Sequence, residues 1–157
     1  MAISNESARK HLYRKDVLRR LAERICAGER IPGDLEVSVL FCDDQYITQL
    51  NREYRKLDRP TDVLSFCQSS IVEDGPRVLG DIVISLETVE RQCRGDRKAM
   101  REEVRLLFCH GLLHLLDYTH GNASTRDAMA GKQAEYLDIP LGEAWPDAPA
   151  ADVPDQS

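Results

Sequence analysis

Between Pro32-Gly33 and Asp43-Asp44 lies Leu35–Cys42, Leu-Glu-Val-Ser-Val-Leu-Phe-Cys. This run of apolar and β-branched residues has the length and turn-forming borders of a buried strand. A sheet is therefore part of the fold, and the flanking segments decide its class. Upstream, Asp16 to Ala27 sets Val17, Leu18, Leu21, Ala22 and Ile25 on one helical face, which Gly28 ends. Downstream, Asp43 or Asp44 stands where a second helix needs a cap, with Ile47, Leu50 and Tyr54 as its inward face. After Arg59-Pro60 come two more strand-like runs, Asp62 to Phe66 and Leu79 to Leu86, joined through Gly75-Pro76 and placed to form a hairpin. Helical spacing resumes near Arg97 with Met100, Val104, Leu107 and Phe108 and runs on into Leu112, Leu113, Leu115 and Leu116. A last helix is expected from about Ser124 to Leu137. The order predicts an α/β (α+β) domain with a small mixed β-sheet and flanking helices, because two strands joined by a short connection cannot both belong to a parallel set.

The chain of 157 residues is long enough to bury about 68–70% of its unfolded surface, so it needs no disulfide framework. Its five cysteines, Cys26, Cys42, Cys67, Cys93 and Cys109, are an odd number with no C-x-x-C pair, which reads as reduced and mostly buried thiols. No apolar run approaches the roughly 18 residues of a membrane helix, and the amino-terminal segment lacks a signal-peptide pattern, so a cytoplasmic protein without membrane contact is expected. Composition shifts near Pro140. Residues 1–140 read as one domain. Residues 141–157 contain three prolines, four acids and no Lys or Arg, the composition of a disordered acidic tail. The net charge of −6 argues against a generally basic nucleic-acid binder. Much of it resides in that tail, and residues 1–30, 50–60 and 91–105 are locally basic.

Three of the four histidines fall in the eleven residues from His110 to His120; His11 stands alone and reads as an ordinary surface group. On a helix, His110 and His114 project from one face about 6 Å apart along the axis, which lets two imidazole nitrogens reach one ion at about 2.0–2.1 Å. His120 meets the same ion only if the chain turns back after Leu116. That spacing is similar to the H-E-x-x-H-x-x-G-x-x-H arrangement of metzincins, in which Gly supplies positive φ at the place taken here by Asp117. Asp is among the few other residues that tolerate such a backbone. Three neutral ligands would leave a zinc ion its full charge and an open fourth position, the layout of a catalytic site. Metzincins carry a glutamate base directly after the first His. Here that position is Gly111, which disfavours a zinc protease and leaves hydrolysis or transfer at phosphorus.

His110-Gly-Leu-Leu-His114-Leu-Leu-Asp-Tyr-Thr-His120 resembles the H-G-x-L-H-L-x-G-Y-D-H signature of the YbeY family. Leu50-Asn-Arg-Glu-Tyr-Arg55 with Thr61-Asp-Val-Leu-Ser-Phe66, and Leu79-Gly-Asp-Ile-Val-Ile-Ser85, resemble two further blocks of that family in the same order and at matching separations. The resemblance runs from about Leu35 to Leu137 and departs at Asp117 and Thr119, where the family has Gly and Asp. Because the family opens with a strand and this amino terminus lies close to the first helix, the sheet is expected to be short or its first strand irregular.

The resemblance implies a single-strand-specific, metal-dependent endoribonuclease acting in small-subunit (16S) rRNA maturation and ribosome quality control. It implies one zinc ion on His110, His114 and His120, and a catalytic arginine, Arg55, whose guanidinium would hold the phosphodiester and its transition-state charge. The implied partners are single-stranded RNA, rRNA and the small ribosomal subunit, with ribosomal-protein or GTPase partners. Attack by water and attack by the ribose 2′-hydroxyl both remain open, and no general base is assigned. Two other readings stand beside the nuclease: a zinc-stabilised ribosome-assembly or adaptor protein, and a zinc hydrolase of peptides or small molecules.

Overall fold

The computed structural model describes residues 1–31, 35–70, 77–118 and 121–145. Among these the elements run β1 (Ala2–Asn5), α1 (Lys15–Gly28), β2 (Leu35–Cys42), α2 (Asp44–Arg55), β3 (Val63–Ser70), β4 (Arg77–Ser85), α3 (Leu86–Gln92), α4 (Arg97–Leu115) and α5 (Ala123–Leu137), followed by a 310 turn at Leu141–Glu143. The strands form one mixed sheet in the order β1-β2-β4-β3. β1 and β4 are parallel to β2, while β3 and β4 pair antiparallel as the hairpin expected from the sequence. The first strand is short but regular, pairing Ala2 with Ser38 through Asn5 with Phe41. Its only large apolar residue is Ile3, so the partner strand rather than local pattern defines it.

Alternation along the strands separates two cores. Val37, Val39 and Phe41 of β2 and Ile82 and Ile84 of β4 face a large cluster with Leu18, Leu21 and Ile25 of α1 and with Leu107, Phe108, Leu112 and Leu113 of α4. On the opposite sheet face, Cys42, Leu64 and Val83 pack with Ile47 of α2, joined by Leu50 and Phe66 at the margin. Tyr54 does not face inward as its spacing predicts. It is 52% exposed, and its ring meets Phe66 edge-on at 5.0 Å. α2 meets the sheet through β4, a central strand, and its last turn leaves Tyr54 exposed.

The caps also differ in detail from the sequence pattern. Asp43 occupies the N-cap position of α2, yet its carboxylate accepts from Ala8 N (3.0 Å) and pairs with Arg9 (3.2 Å). The Asp44 N–H donates instead to Glu87 (3.0 Å). At α5, Asn122 and Thr125 form a reciprocal capping box that starts the helix one residue earlier than expected. Of the cysteines, all free, Cys42 and Cys109 are buried, Cys26 and Cys93 partly so, and Cys67 is exposed. Burial pushes the Cys42 and Cys109 thiols up to about 12, so both stay protonated. Among the described residues no helix is long and apolar enough to cross a membrane.

The proposed disordered tail does not begin at 141. Leu141–Glu143 turns as a 310 helix, Ala144 is fully buried, and Trp145 packs on the main core. Apolar anchoring by two residues outweighs a composition that averages as polar. Residues 146–157 lie outside the described residues.

Candidate metal centre

Every residue from Leu106 to Leu115 is buried, because α4 runs between the sheet on one side and α1 and α5 on the other. A helix apolar on all sides suits such a place. Its two histidines are consequently core residues, His110 at 7% and His114 at 8% exposure. Their rings meet edge to face with centroids 4.6 Å apart, and the two Nε2 atoms approach to 3.2 Å. Two tetrahedral ligands at 2.0–2.1 Å from one ion would lie about 3.3–3.4 Å apart. The pair therefore already has the spacing a shared ion requires.

Gly111 lets α4 come this close to the sheet. A Cβ there would sit 2.9 Å from Ile82 Cγ2 and 3.0 Å from Ser65 Oγ. Its absence of a side chain is thus a packing requirement, and no glutamate could stand there with the helix in place. Beneath the helix, Ser65 Oγ donates to Gly111 O (3.4 Å) and Cys67 Sγ to His114 O (3.8 Å), so β3 tracks the segment carrying both histidines.

α4 ends in a Schellman motif. Tyr118 N donates to Leu113 O and Asp117 N to His114 O, each at 3.0 Å, and Asp117 adopts φ +74°. The positive φ expected at this position from the likeness to the metzincin arrangement is present, and the chain leaves the helix axis there. Tyr118 is anchored by donation to Glu29 (2.5 Å), which also accepts from Tyr136 and pairs with Lys132. Burial opposes the Glu29 charge, but the hydrogen bonds from Tyr118 and Tyr136 and the Lys132 ammonium outweigh it and hold the carboxyl below its usual range. Burial, with the hydrogen bond to Glu29, raises the Tyr118 phenol to about 12. His120, two residues beyond, lies outside the described residues. Among the described residues no group of three His, Cys, Asp or Glu is assembled as a metal site.

Behind His110, Nδ1 lies 2.8 Å from Gln133 Oε1 of α5, and the Gln133 amide donates to Ala144 O. The Trp145 ring stands edge-on to His110 at 5.2 Å. Neither Gln133 nor Trp145 carries a motif signal, because their role depends on α5 and the following turn folding back over α4.

Arg55 is the last residue of α2 and is half-buried. Its charge acts on Asp62, which is 1% exposed and immediately precedes β3. Burial pushes the Asp62 carboxyl up to about 6; backbone N–H groups of Val63 and Asp62, the Thr61 hydroxyl and Arg55 all act the other way. β3 thus begins beside the arginine and passes the two histidines. Within the locally basic stretches the ion pairs include Arg9 with Asp43, Glu87 and Glu90, Arg14 and Arg20 with Asp16, Arg52 with Asp58, and Arg91 with Asp44.

The sequence matches the family model described as Endoribonuclease YbeY over residues 2–139. The chain belongs to the YbeY family. Endoribonuclease YbeY of Methylocella silvestris is 41% identical over 111 residues, a match covering 71% of this chain and 62% of that protein. The Aquifex aeolicus Endoribonuclease YbeY is 38% identical over 136 residues, covering 87% and 89%. The solution structure of a Thermotoga maritima protein superposes with a TM-score of 0.55 at 29% identity, covering 87% of each chain. The YbeY match reaches further toward the amino terminus than the three sequence blocks do and takes in β1.

Proposed function

We propose that this chain is a metal-dependent endoribonuclease acting on single-stranded RNA in small-subunit rRNA maturation and ribosome quality control. Membership of a family described as Endoribonuclease YbeY supports the endoribonuclease part of the reading. The observation that carries it to particular residues is the 3.2 Å approach of the buried His110 and His114 Nε2 atoms. Imidazole pairs suit zinc, and His120 would supply the third ligand from beyond the Asp117 turn. When bound, the ion supplies positive charge and Lewis acidity at the scissile phosphate.

The protein's own residues do the rest. α4 fixes the two imidazoles side by side with little exposure, and Gly111 leaves no carboxylate base between them, unlike a zinc protease. The Arg55 guanidinium, at the end of α2, would hold phosphate oxygens in a forked arrangement and stabilise their extra charge during transfer. The unit is one domain, residues 1–140, closed by the 141–145 strap. Its proposed setting is the cytoplasm, with rRNA, the small subunit and ribosomal-protein or GTPase partners.

Metal content by mass spectrometry on untagged protein, with cleavage of a single-stranded RNA measured in parallel, tests the reading. About one zinc per wild-type chain, markedly less in His114→Ala, and Arg55→Ala with full zinc but cleavage lowered by about 10²-fold or more are expected. A wild type that stays metal-free after zinc is offered would overturn the metal mechanism and favour the adaptor reading. Unchanged cleavage in Arg55→Ala would remove that residue from the mechanism.

A further inference from the structure

We propose that Gln133, braced by the strap at residues 140–145, is a positioning residue that locks His110 in the Nδ1–H tautomer and so turns its Nε2 lone pair toward the metal position. The inference rests on the metal reading above. Gln133 is fully buried on α5, and both ends of its amide are engaged. One end donates to Ala144 O, and a backbone carbonyl can only accept, so that end is the NH2. The carbonyl Oε1 must then face His110 Nδ1 at 2.8 Å, and since Oε1 can only accept, Nδ1 carries the proton. A flipped amide would set two buried acceptors against each other at Ala144, a costly arrangement. In a neutral imidazole, one protonated nitrogen leaves the other as the lone pair, and here that is Nε2, the atom 3.2 Å from His114 Nε2.

The strap is what makes this assignment rigid. Glu143 N donates to Pro140 O and Ala144 N to Leu141 O, a tight turn that aims the Ala144 carbonyl inward. Ala144 is fully buried. Trp145 covers His110 edge-on, and Arg126 of α5 lies over the Trp145 ring, 4.9 Å from its centroid. A buried group behind a metal-ligating histidine that accepts from its second nitrogen typically changes metal affinity 10–100-fold when removed. The stretch whose composition resembles a tail thereby contributes to the chemistry of a ligand 34 residues earlier in the chain.

The test uses the full chain, with metal-free and zinc-loaded samples of wild type, Gln133→Met and Gln133→Glu. Long-range 1H–15N correlation on the metal-free protein reads the His110 tautomer, and competition with a chelator of known affinity reads zinc binding. The wild type should show Nδ1–H at His110. Gln133→Met, of similar length but with no acceptor, should bind zinc 10–100-fold more weakly. Gln133→Glu, which keeps an acceptor facing Nδ1 and, protonated on its other oxygen, a donor to Ala144 O, should hold zinc within about threefold of wild type. A wild-type His110 protonated at Nε2, or Gln133→Met binding zinc as tightly as wild type, would overturn the proposal. Should Gln133→Met not fold, the wild-type tautomer and the Gln133→Glu affinity still decide it, a tenfold or greater loss in the latter counting against. A wild type that takes up no zinc overturns the metal reading instead, while an Nδ1–H tautomer in that same sample would still support the hold of Gln133 on His110.

Discussion

Asp62→Asn should remove a pH dependence that the buried Asp62 carboxyl imposes on folding. The group is 1% exposed, and burial raises its pKa to about 6 from about 3.9 in an unfolded chain. Between about pH 4 and 6 the folded protein therefore keeps a proton that the unfolded chain has released. Stability falls as pH rises through that window and levels off above it. A difference of about two pH units corresponds to about 3 kcal/mol. Asn has no proton to lose and still offers an oxygen to Thr61 and to the backbone N–H groups. Urea denaturation at pH 4, 5, 6 and 7 should show the unfolding free energy of Asp62→Asn gaining on wild type by about 2 kcal/mol across the series, since the unfolded carboxyl is already about half ionised at pH 4, with unchanged slope in denaturant. Glu29, Asp44 and Glu90, whose carboxyls are held below their usual range, lose stability in the opposite direction as pH falls, but they are common to both proteins and cancel in the difference. Parallel curves would refute the reasoning. They would mean that the hydrogen bonds at Asp62 and the Arg55 charge together offset the cost of burying its carboxylate.

Two further substitutions probe the elements that shape the proposed centre. Gly111→Ala forces a methyl against Ile82 and Ser65, so overpacking of about 1–3 kcal/mol should outweigh the gain of about 1 kcal/mol in helix propensity and lower the urea midpoint. A midpoint raised above wild type would show that α4 does not need the close approach. Asp117→Gly should stabilise by about 0.5–1 kcal/mol, because Gly carries no penalty at φ +74°. Lower thermal stability in that variant would mean that the Asp117 side chain, not only its backbone, holds the turn.

What could be read from the chain alone follows from which signals are local. Strands bounded by turns, the amphipathic faces of α1 and α2, and the all-apolar helix carrying two histidines four apart are each legible within a window of about ten residues. So is the turn after Leu116 that a shared ion would demand of His120, while the place of a positive φ at Asp117 comes from the likeness to the metzincin arrangement. β1 was harder to read because four residues with one large apolar side chain gain their structure from pairing with β2. α3 escaped for a similar reason: it spans Leu86–Gln92 directly after a strand, with Ser85 serving both as the strand's end and as its N-cap. Gln133 and Trp145 could not be found by spacing, since their proximity to His110 exists only once α5 and the strap have folded over α4. The strap shows a general limit of composition. A window dominated by Pro, Asp and Ala averages as disordered even when Ala144 and Trp145, placed at a groove, anchor five of its residues.

The proposed ligands sit on a helix with no solvent-facing side in its second half, and that has a chemical consequence. A histidine on an exposed helix can choose its tautomer with the help of water, but His110 and His114 cannot, so any preference has to be built into neighbouring protein groups. The fold meets this by distributing the centre over separate elements. α4 contributes imidazoles whose backbone is pinned against β3; α5 and the strap contribute the amide that orients one of them; α2 brings Arg55 to the start of the same β3. Glu29, at the end of α1, holds Tyr118 and with it the exit from α4 toward His120. Each of these contacts crosses between elements that share no local sequence. A bound ion would therefore meet two nitrogens already 3.2 Å apart, with the proton that His114 shares in that contact displaced on binding.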